Sequence, residues 1–265
     1  MTRRSGFLAR WLLAGLVFLY LPIMLLVGTS FNASRLTTVW SGFSLRWYDA
    51  LWHDEPLMQA AWLSVRIAAS SASLSTLLGA TAGFALARLA PFPARPLFAA
   101  LLTAPLFLPD LLIGLALLLL FVAMEQLLGW PQGRGAVTIV LAHATIGVGY
   151  VTLLVRARLA GSGTVLEQAA MDLGATPTRT FWRITLPLMA PSLLAGWLLT
   201  FTLSLDDVIV ASFVSGPGAT TLPMLVYSTL KLGATPVLNA LATVMLAIVG
   251  SLLVATWAVT ARQRR

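Results

Sequence analysis

The sequence has no cysteine, a single lysine (Lys231) and two histidines, His53 and His143. Lacking cysteine, the chain can form no disulfide framework and no thiolate site, and two histidines make no all-protein zinc site. The lone lysine is not part of a Gly-x-x-x-x-Gly-Lys-Ser/Thr stretch, so the chain has no phosphate-binding loop of its own. Charge is also scarce. Charged residues make up 10% of the 265 residues, against about 25% in a soluble domain. By contrast 58% are hydrophobic, and the mean hydropathy is +0.89. This balance excludes a soluble globular domain and points to a membrane protein crossing the bilayer as helices.

Acidic residues are the scarcer sign, 9 against 17 basic, for a net charge of +8. In a soluble protein that excess would suggest nucleic acid. Here the arginines bracket apolar runs instead of forming one patch, so membrane topology accounts for them and no nucleic-acid partner is expected.

Six apolar stretches of near-spanning length follow one another. The first, Trp11 to Ser34, comes after Arg3, Arg4 and Arg10 and outlasts the apolar core of a signal peptide, so it reads as an uncleaved helix. A mixed stretch, Arg35 to Gln59, carries Trp40, Trp47, Tyr48 and Trp52 and suits an interfacial loop; its Asn32-Ala33-Ser34 approach is a glycosylation sequon by pattern only. Between Arg66 and Arg88 the run is rich in Ala, Ser, Gly and Thr, small residues that let membrane helices pack closely. After a turn holding Pro91, Pro93 and Pro96, a third span is expected from Leu97 to Met124, interrupted by Pro105, Pro109 and Asp110. A fourth covers Ala136 to Val155, a fifth Pro191 to Val214 and a sixth Pro236 to Val259. Six spans put both termini on one side. Counting arginines at the loops favours the cytoplasm for that side, with Arg3, Arg4, Arg10, Arg88, Arg95, Arg156, Arg158, Arg179, Arg183, Arg262, Arg264 and Arg265 inside. Arg35, Arg46, Arg134 and Lys231 would lie outside, and Arg66 is borderline. With no tandem repeat or flexible linker, residues 1–265 read as one domain.

One polar insert breaks the pattern, between the fourth and fifth spans. Thr164 and Glu167 have capping-box spacing, so a short helix is expected to start at Val165. Gly174 suits the left-handed position after its end. Thr176 and Pro177 suit the N-cap and first turn of a second helix reaching about Ile184. Glu167, Ala170, Met171 and Gly174 fall at i, i+3, i+4 and i+7, a face on which small Ala170 permits close approach by another protein.

The insert resembles the loop motif of ABC-importer permeases, Glu-Ala-Ala, three residues, Gly, nine residues, Ile-x-Leu-Pro. The matching positions are Gln168, Ala169, Ala170, Gly174, Ile184, Leu186 and Pro187, with Gln168 standing where the strict motif has Glu and Glu167 beside it. Phe43-Ser44-Leu45-Arg46-Trp47-Tyr48, Ala104-Pro105-Leu106-Phe107-Leu108-Pro109-Asp110, Thr202-Leu203-Ser204-Leu205-Asp206-Asp207 and Ser215-Gly216-Pro217-Gly218 are similar to stretches of polyamine permeases, the second permeases of putrescine importers above all. The resemblance implies a type I importer permease fold with six transmembrane helices. It also implies a segment, 164–187, that docks on an ATP-hydrolysing subunit. Two copies of that subunit, holding ATP and Mg, would be partners along with a second permease and a periplasmic polyamine-binding protein, all at a bacterial inner membrane. This chain itself would hold no cofactor. The implied cargo is putrescine, or spermidine or another small cation, and the residues implied to recognise it are Trp47, Asp110, Ser204, Asp206 and Asp207.

The residues themselves support a cation path. Asp110 lies 15 residues from both Arg95 and Glu125, roughly 22 Å along a helix from either. An ionised Asp at such a depth costs about 2.5–3.5 kcal/mol, so it should face water or a partner, or else cap a broken helix. Thr200, Ser204 and Asp207 share a helical face, and two adjacent carboxylates can hold an ammonium group. An aromatic face such as Trp47 can attract one too, though an interfacial anchor is the plainer reading. His143 reads as a buried, hydrogen-bonded imidazole or, less simply, a proton relay. The alternative function is an ion-coupled secondary transporter with helices broken at Pro105/Pro109 and Pro187/Pro191, which leaves the insert unexplained.

Overall fold

The computed structural model describes residues 2–36, 39–89, 92–233 and 235–263; Pro91, Arg264 and Arg265 lie outside them. The described helices are α1 (Thr2–Ser30), α2 (Arg46–Trp52), α3 (Glu55–Arg88), α4 (Arg95–Thr103), α5 (Asp110–Leu128) and α6 (Ala136–Ser162). They continue with α7 (Val165–Asp172), α8 (Pro177–Thr180), α9 (Leu186–Asp206), α10 (Ile209–Val214), α11 (Leu222–Leu232) and α12 (Pro236–Gln263). Extended pairing among the described residues is a single bridge, Asn32 to Phe43. The fold is all-α.

Among the described residues, five helical stretches are long and apolar enough to cross a membrane: Phe7–Ser30, Glu55–Arg88, Asp110–Leu128, Ala136–Ser162 and Pro177–Asp206. The apolar part of α12, Pro236–Ser251, is shorter within the described residues. The second and fifth expected spans are drawn differently, α3 beginning at Glu55, inside the expected interfacial stretch, and not at Arg66. The third is interrupted where expected. It breaks after α4 into a 3-10 turn, Ala104–Leu106, and restarts at Asp110 with Pro109 as N-cap. The two prolines explain this: each removes an amide donor, and Pro109 pushes Leu108 out of the helical region. The fifth begins earlier, as α8 runs through a π-helical turn, Phe181–Thr185, directly into α9. It also ends earlier, at Asp206, because Asp207 takes extended angles (φ −70°, ψ 129°) before α10.

Two compact units make up the chain, one of Met1–Met58 with Val226–Arg265 and one of Gln59–Leu225. In the first unit α12 packs on α1 and α2, and Asn239 Nδ2 donates to Thr29 Oγ1 at 3.1 Å. Buried Asn32 organises the loop after α1: its Oδ1 accepts from the Ser34 and Ser41 amides and its Nδ2 donates to the Val39 carbonyl. The side chain of that sequon is committed to its own loop. Most of α1 is exposed and apolar, as for a helix facing lipid.

The second unit is built on α6, the most buried of the spanning helices. One core joins Ile113, Leu117 and Phe121 of α5 to Ile139 and Ala142 of α6 and Val210 and Val214 of α10. Another sets Val151, Val155 and Leu159 of α6 against Met189 of α9, with Ala80 and Phe84 of α3 beside them. The small residues of α3 allow that approach. A Cβ on Gly83 would lie 2.8 Å from Val155 Cβ and 2.9 Å from the Thr152 carbonyl, closer than side chains pack.

Candidate functional site

The insert after α6 forms the expected pair of short elements, with one cap misassigned. Thr164 is the N-cap of α7, yet its side chain makes no capping bond. The capping-box expectation fails because Glu167 turns away from the helix start. Its Oε2 lies 2.7 Å from Arg88 Nε at the end of α3, and its Oε1 accepts a 2.8 Å hydrogen bond from Thr185. The Arg88 contact is ionic in character, since Nε has no aligned hydrogen-bond acceptor. The rest of the Arg88 guanidinium donates to the carbonyls of Leu159 (3.1 Å) and Gly163 (2.6 Å), capping the last turn of α6. A cation at a helix C-terminus also meets the negative end of the helix dipole.

The α7 ending agrees with expectation. Gly174 has φ +84°, and the Ala175 and Gly174 amides donate to the Ala170 and Met171 carbonyls, a Schellman ending. Thr176 caps α8 by accepting from the Arg179 amide at 3.3 Å, with Pro177 next. The motif positions divide between inside and outside. Glu167 is buried, whereas Gln168 and Ala169 are exposed and Ala170 is half-buried. The face expected to meet another protein is only partly outward: Glu167 is used internally, while Met171 and Gly174 are exposed. Val165, Leu166, Gln168, Ala169 and Leu173 are exposed beside them. Ile184 and Leu186 are half-buried, Pro187 is exposed, and all three frame the turn that carries Thr185 back to Glu167.

The second feature is a cavity of about 450 Å³ in the Gln59–Leu225 unit, walled by Asp110, His143, Tyr150, Ser204, Asp206 and Asp207 among others. Four expected residues therefore share one space: Asp110 from the start of α5, Ser204 and Asp206 from the last turn of α9, and Asp207 from the break before α10. Asp110 is the first residue of α5, at the break after the 3-10 turn, which agrees with the broken-helix alternative and not with a mid-helix position. There its carboxylate complements the positive helix end. It still lies beside the middle of a span, since His143, Ile146, Gly147 and Tyr150 on the same cavity come from the central part of α6.

The two neighbouring aspartates have different surroundings. Asp207 accepts the Val210 amide (3.3 Å) on Oδ1, and the Ala211 amide (2.7 Å) and His143 Nε2 (3.1 Å) on Oδ2. Asp206 and Asp110 are exposed to the cavity, and neither bonds another described side chain. Two carboxylates without an ionic partner, around a cavity of this size at spanning depth, suit a cation. Trp47 belongs to the other unit, where its indole donates to the Asn32 carbonyl at 2.7 Å and the Arg46 guanidinium lies 4.0 Å from its ring centroid. Sequence reasoning did not single out Arg88, Tyr150 or the bonds of His143; all three depend on contacts between helices distant in the chain.

Comparison with known proteins gives the same architecture. Residues 75–265 match the family described as binding-protein-dependent transport system inner membrane component. The chain is 50% identical over 254 residues to the putrescine transport system permease protein PotI of Escherichia coli strain K12, covering 96% of this chain and 90% of that protein. It is 38% identical over 243 residues to the spermidine/putrescine transport system permease protein PotC of the same strain, covering 92% and 88%. In structure it is similar to a chain of a bacterial ABC transporter involved in the import of the acidic polysaccharide alginate, with TM-score 0.69, 15% identity and 98% of each chain covered. A chain of an amino acid ABC transporter gives TM-score 0.56 at 15% identity, covering 83% of this chain and 98% of that one. These two likenesses speak to fold alone, and the fold is that of type I ABC-importer permeases. The chain belongs to the binding-protein-dependent transport system inner membrane component family, as a permease subunit and not an enzyme.

Proposed function

We propose that this permease moves a small polyamine, putrescine or a close relative such as spermidine, into the cytoplasm, and that Asp110 and Asp206 hold its ammonium groups on the way. The observation that carries the reading is the pair of carboxylates, Asp110 and Asp206, that open onto one cavity of the Gln59–Leu225 unit and bond no other described side chain. The 50% identity to PotI supports the cargo class. A diamine is charged at both ends, and a carboxylate without a protein partner gains more from it than one already bonded. Ser204 and Tyr150 add hydroxyl acceptors to the same wall. Trp47 offers an ammonium an aromatic face once the Arg46 guanidinium swings aside.

In this reading the loop arginines place both termini and the 164–187 segment in the cytoplasm. There α7 docks on one of two ATP-binding subunits, which carry ATP and Mg, while a periplasmic binding protein delivers cargo to the other side. A second permease chain completes the path. Closure of the ATP-binding subunits pushes α7, and the Arg88–Glu167 contact passes the push to α3 and α6. ATP binding shifts the equilibrium only because docking favours one state.

The test is transport by the assembled complex in vesicles, driven by internal ATP and a loaded external binding protein. ATP-dependent uptake of labelled putrescine or spermidine is expected. An assembled complex that hydrolyses ATP but imports only uncharged cargo would reject the polyamine reading, and uptake by this chain alone on an ion gradient would reject the assembly.

A further inference from the structure

His143 is 7% exposed and both ring nitrogens are engaged, one with a carboxylate that lines the cavity. Ionised Asp207 can only accept, so Nε2 carries a proton and donates to Oδ2. The other nitrogen, Nδ1, lies 2.6 Å from Ser204 Oγ, which lies 3.1 Å from Ser71 Oγ. With a neutral ring Ser204 donates to Nδ1 and Nε2 donates to Asp207, while the single Ser71 hydroxyl proton has two acceptors at 3.1 Å, Ser204 Oγ and the Ala68 carbonyl. The chain also joins three helices and a break, with Ser71 on α3, His143 on α6, Ser204 on α9 and Asp207 between α9 and α10. Ser71 and Ser204 are buried as well, where an unsatisfied polar group is costly and a satisfied network is rigid.

The network sorts two adjacent carboxylates. Three donors converge on Asp207, from His143, Val210 and Ala211. Asp206, the residue before it, receives none of them and lines the cavity.

We propose that His143 is a positioning residue of the cargo site. It holds Asp207 as the fixed post of the α9–α10 break, leaving Asp206 with Asp110 as the pair that takes the ammonium. Asp207 thus contributes geometry, and its charge is already spoken for. Without the imidazole, Asp207 keeps only the Val210 and Ala211 amides, so its carboxylate is held less firmly against turning toward the cavity and Asp206 loses its fixed direction. The inference rests on the cavity being the cargo site.

The test measures KM and Vmax for putrescine in the assembled, vesicle-reconstituted complex, with assembled protein quantified for each variant. Asp206→Asn is expected to raise KM about tenfold or more, since it removes a direct charge contact. His143→Ala and Asp207→Asn are expected to raise KM by similar, smaller factors, roughly three- to fivefold, and the double variant no further than the larger single effect, because both act through one bond. Asn at 207 keeps an oxygen to cap α10. His143→Gln, whose amide still donates, is expected to recover most of the loss, and it takes the place of His143→Ala in the cycle if the alanine variant does not assemble. Multiplying factors in the double variant would overturn the inference, as would a lower Vmax with unchanged KM, the mark of a merely structural loss. A rise in KM for Asp206→Asn with none for either His143 variant would overturn it while sparing the cargo reading. An unchanged KM for Asp206→Asn would overturn the cargo reading itself.

Discussion

Arg88 Nε and Glu167 Oε2 lie 2.7 Å apart, joining the last residue of α3 to the first turn of α7. Both side chains are about nine-tenths buried, and the same guanidinium caps α6. A force on α7 therefore reaches two spanning helices through one side chain. Replacing Arg88 by Met would leave Glu167 buried without its counter-charge, a loss of about 3–5 kcal/mol for such pairs. Glu167→Gln, which keeps the acceptor for Thr185, should cost less, about 1–3 kcal/mol. Thermal unfolding of the purified complex ranks the two. The ratio of cargo moved to ATP hydrolysed should fall in both, and an unchanged ratio would remove the pair from coupling.

Gly174→Ala forces a Cβ into a left-handed conformation, φ +84°, at a cost of about 1–2 kcal/mol. Asn tolerates that region better, so Gly174→Asn should lie between wild type and Ala in thermal stability. Equal stability of all three would mean that the α7 ending is not held as described.

Leu173 is 90% exposed on the turn after α7 and contacts little of its own chain. An exposed leucine there suits a docked partner, so Leu173→Asp should leave the permease folded while weakening retention of the ATP-binding subunit about tenfold, near 1.4 kcal/mol. Co-purification at graded salt and detergent reads this directly. Full retention would move the dock elsewhere.

Gly83→Ala tests the α3–α6 contact. The added Cβ meets Val155 Cβ at 2.8 Å and the Thr152 carbonyl at 2.9 Å, and overpacking of this kind costs about 1–3 kcal/mol. Lower thermal stability is expected, with Gly83→Leu worse than Gly83→Ala.

Much of the fold was legible in the sequence because lipid imposes a simple rule of long apolar helices with arginines at their ends. The prolines at 105 and 109 mark the interruption and leave Asp110 either in mid-helix or at a helix start, and only the packed structure decides for the start of α5. Asp206 and Asp207 looked alike because they are neighbours. Their difference arises from His143, more than 60 residues earlier in the chain, and from the amides of α10. Thr164 and Glu167 had the spacing of a capping box, but a buried guanidinium competes better for a carboxylate than a solvated backbone amide does. The glycine and proline signals at 174 and 177 were local, and local signals carried through.

The most direct measurement of the central claim is the KM for putrescine of the reconstituted complex carrying Asp110→Asn, Asp206→Asn or both. A rise of about tenfold or more is expected for each single change, about 1.4 kcal/mol of lost cargo interaction, with a near-complete loss of uptake for the pair. Wild-type KM in the assembled double variant would contradict it.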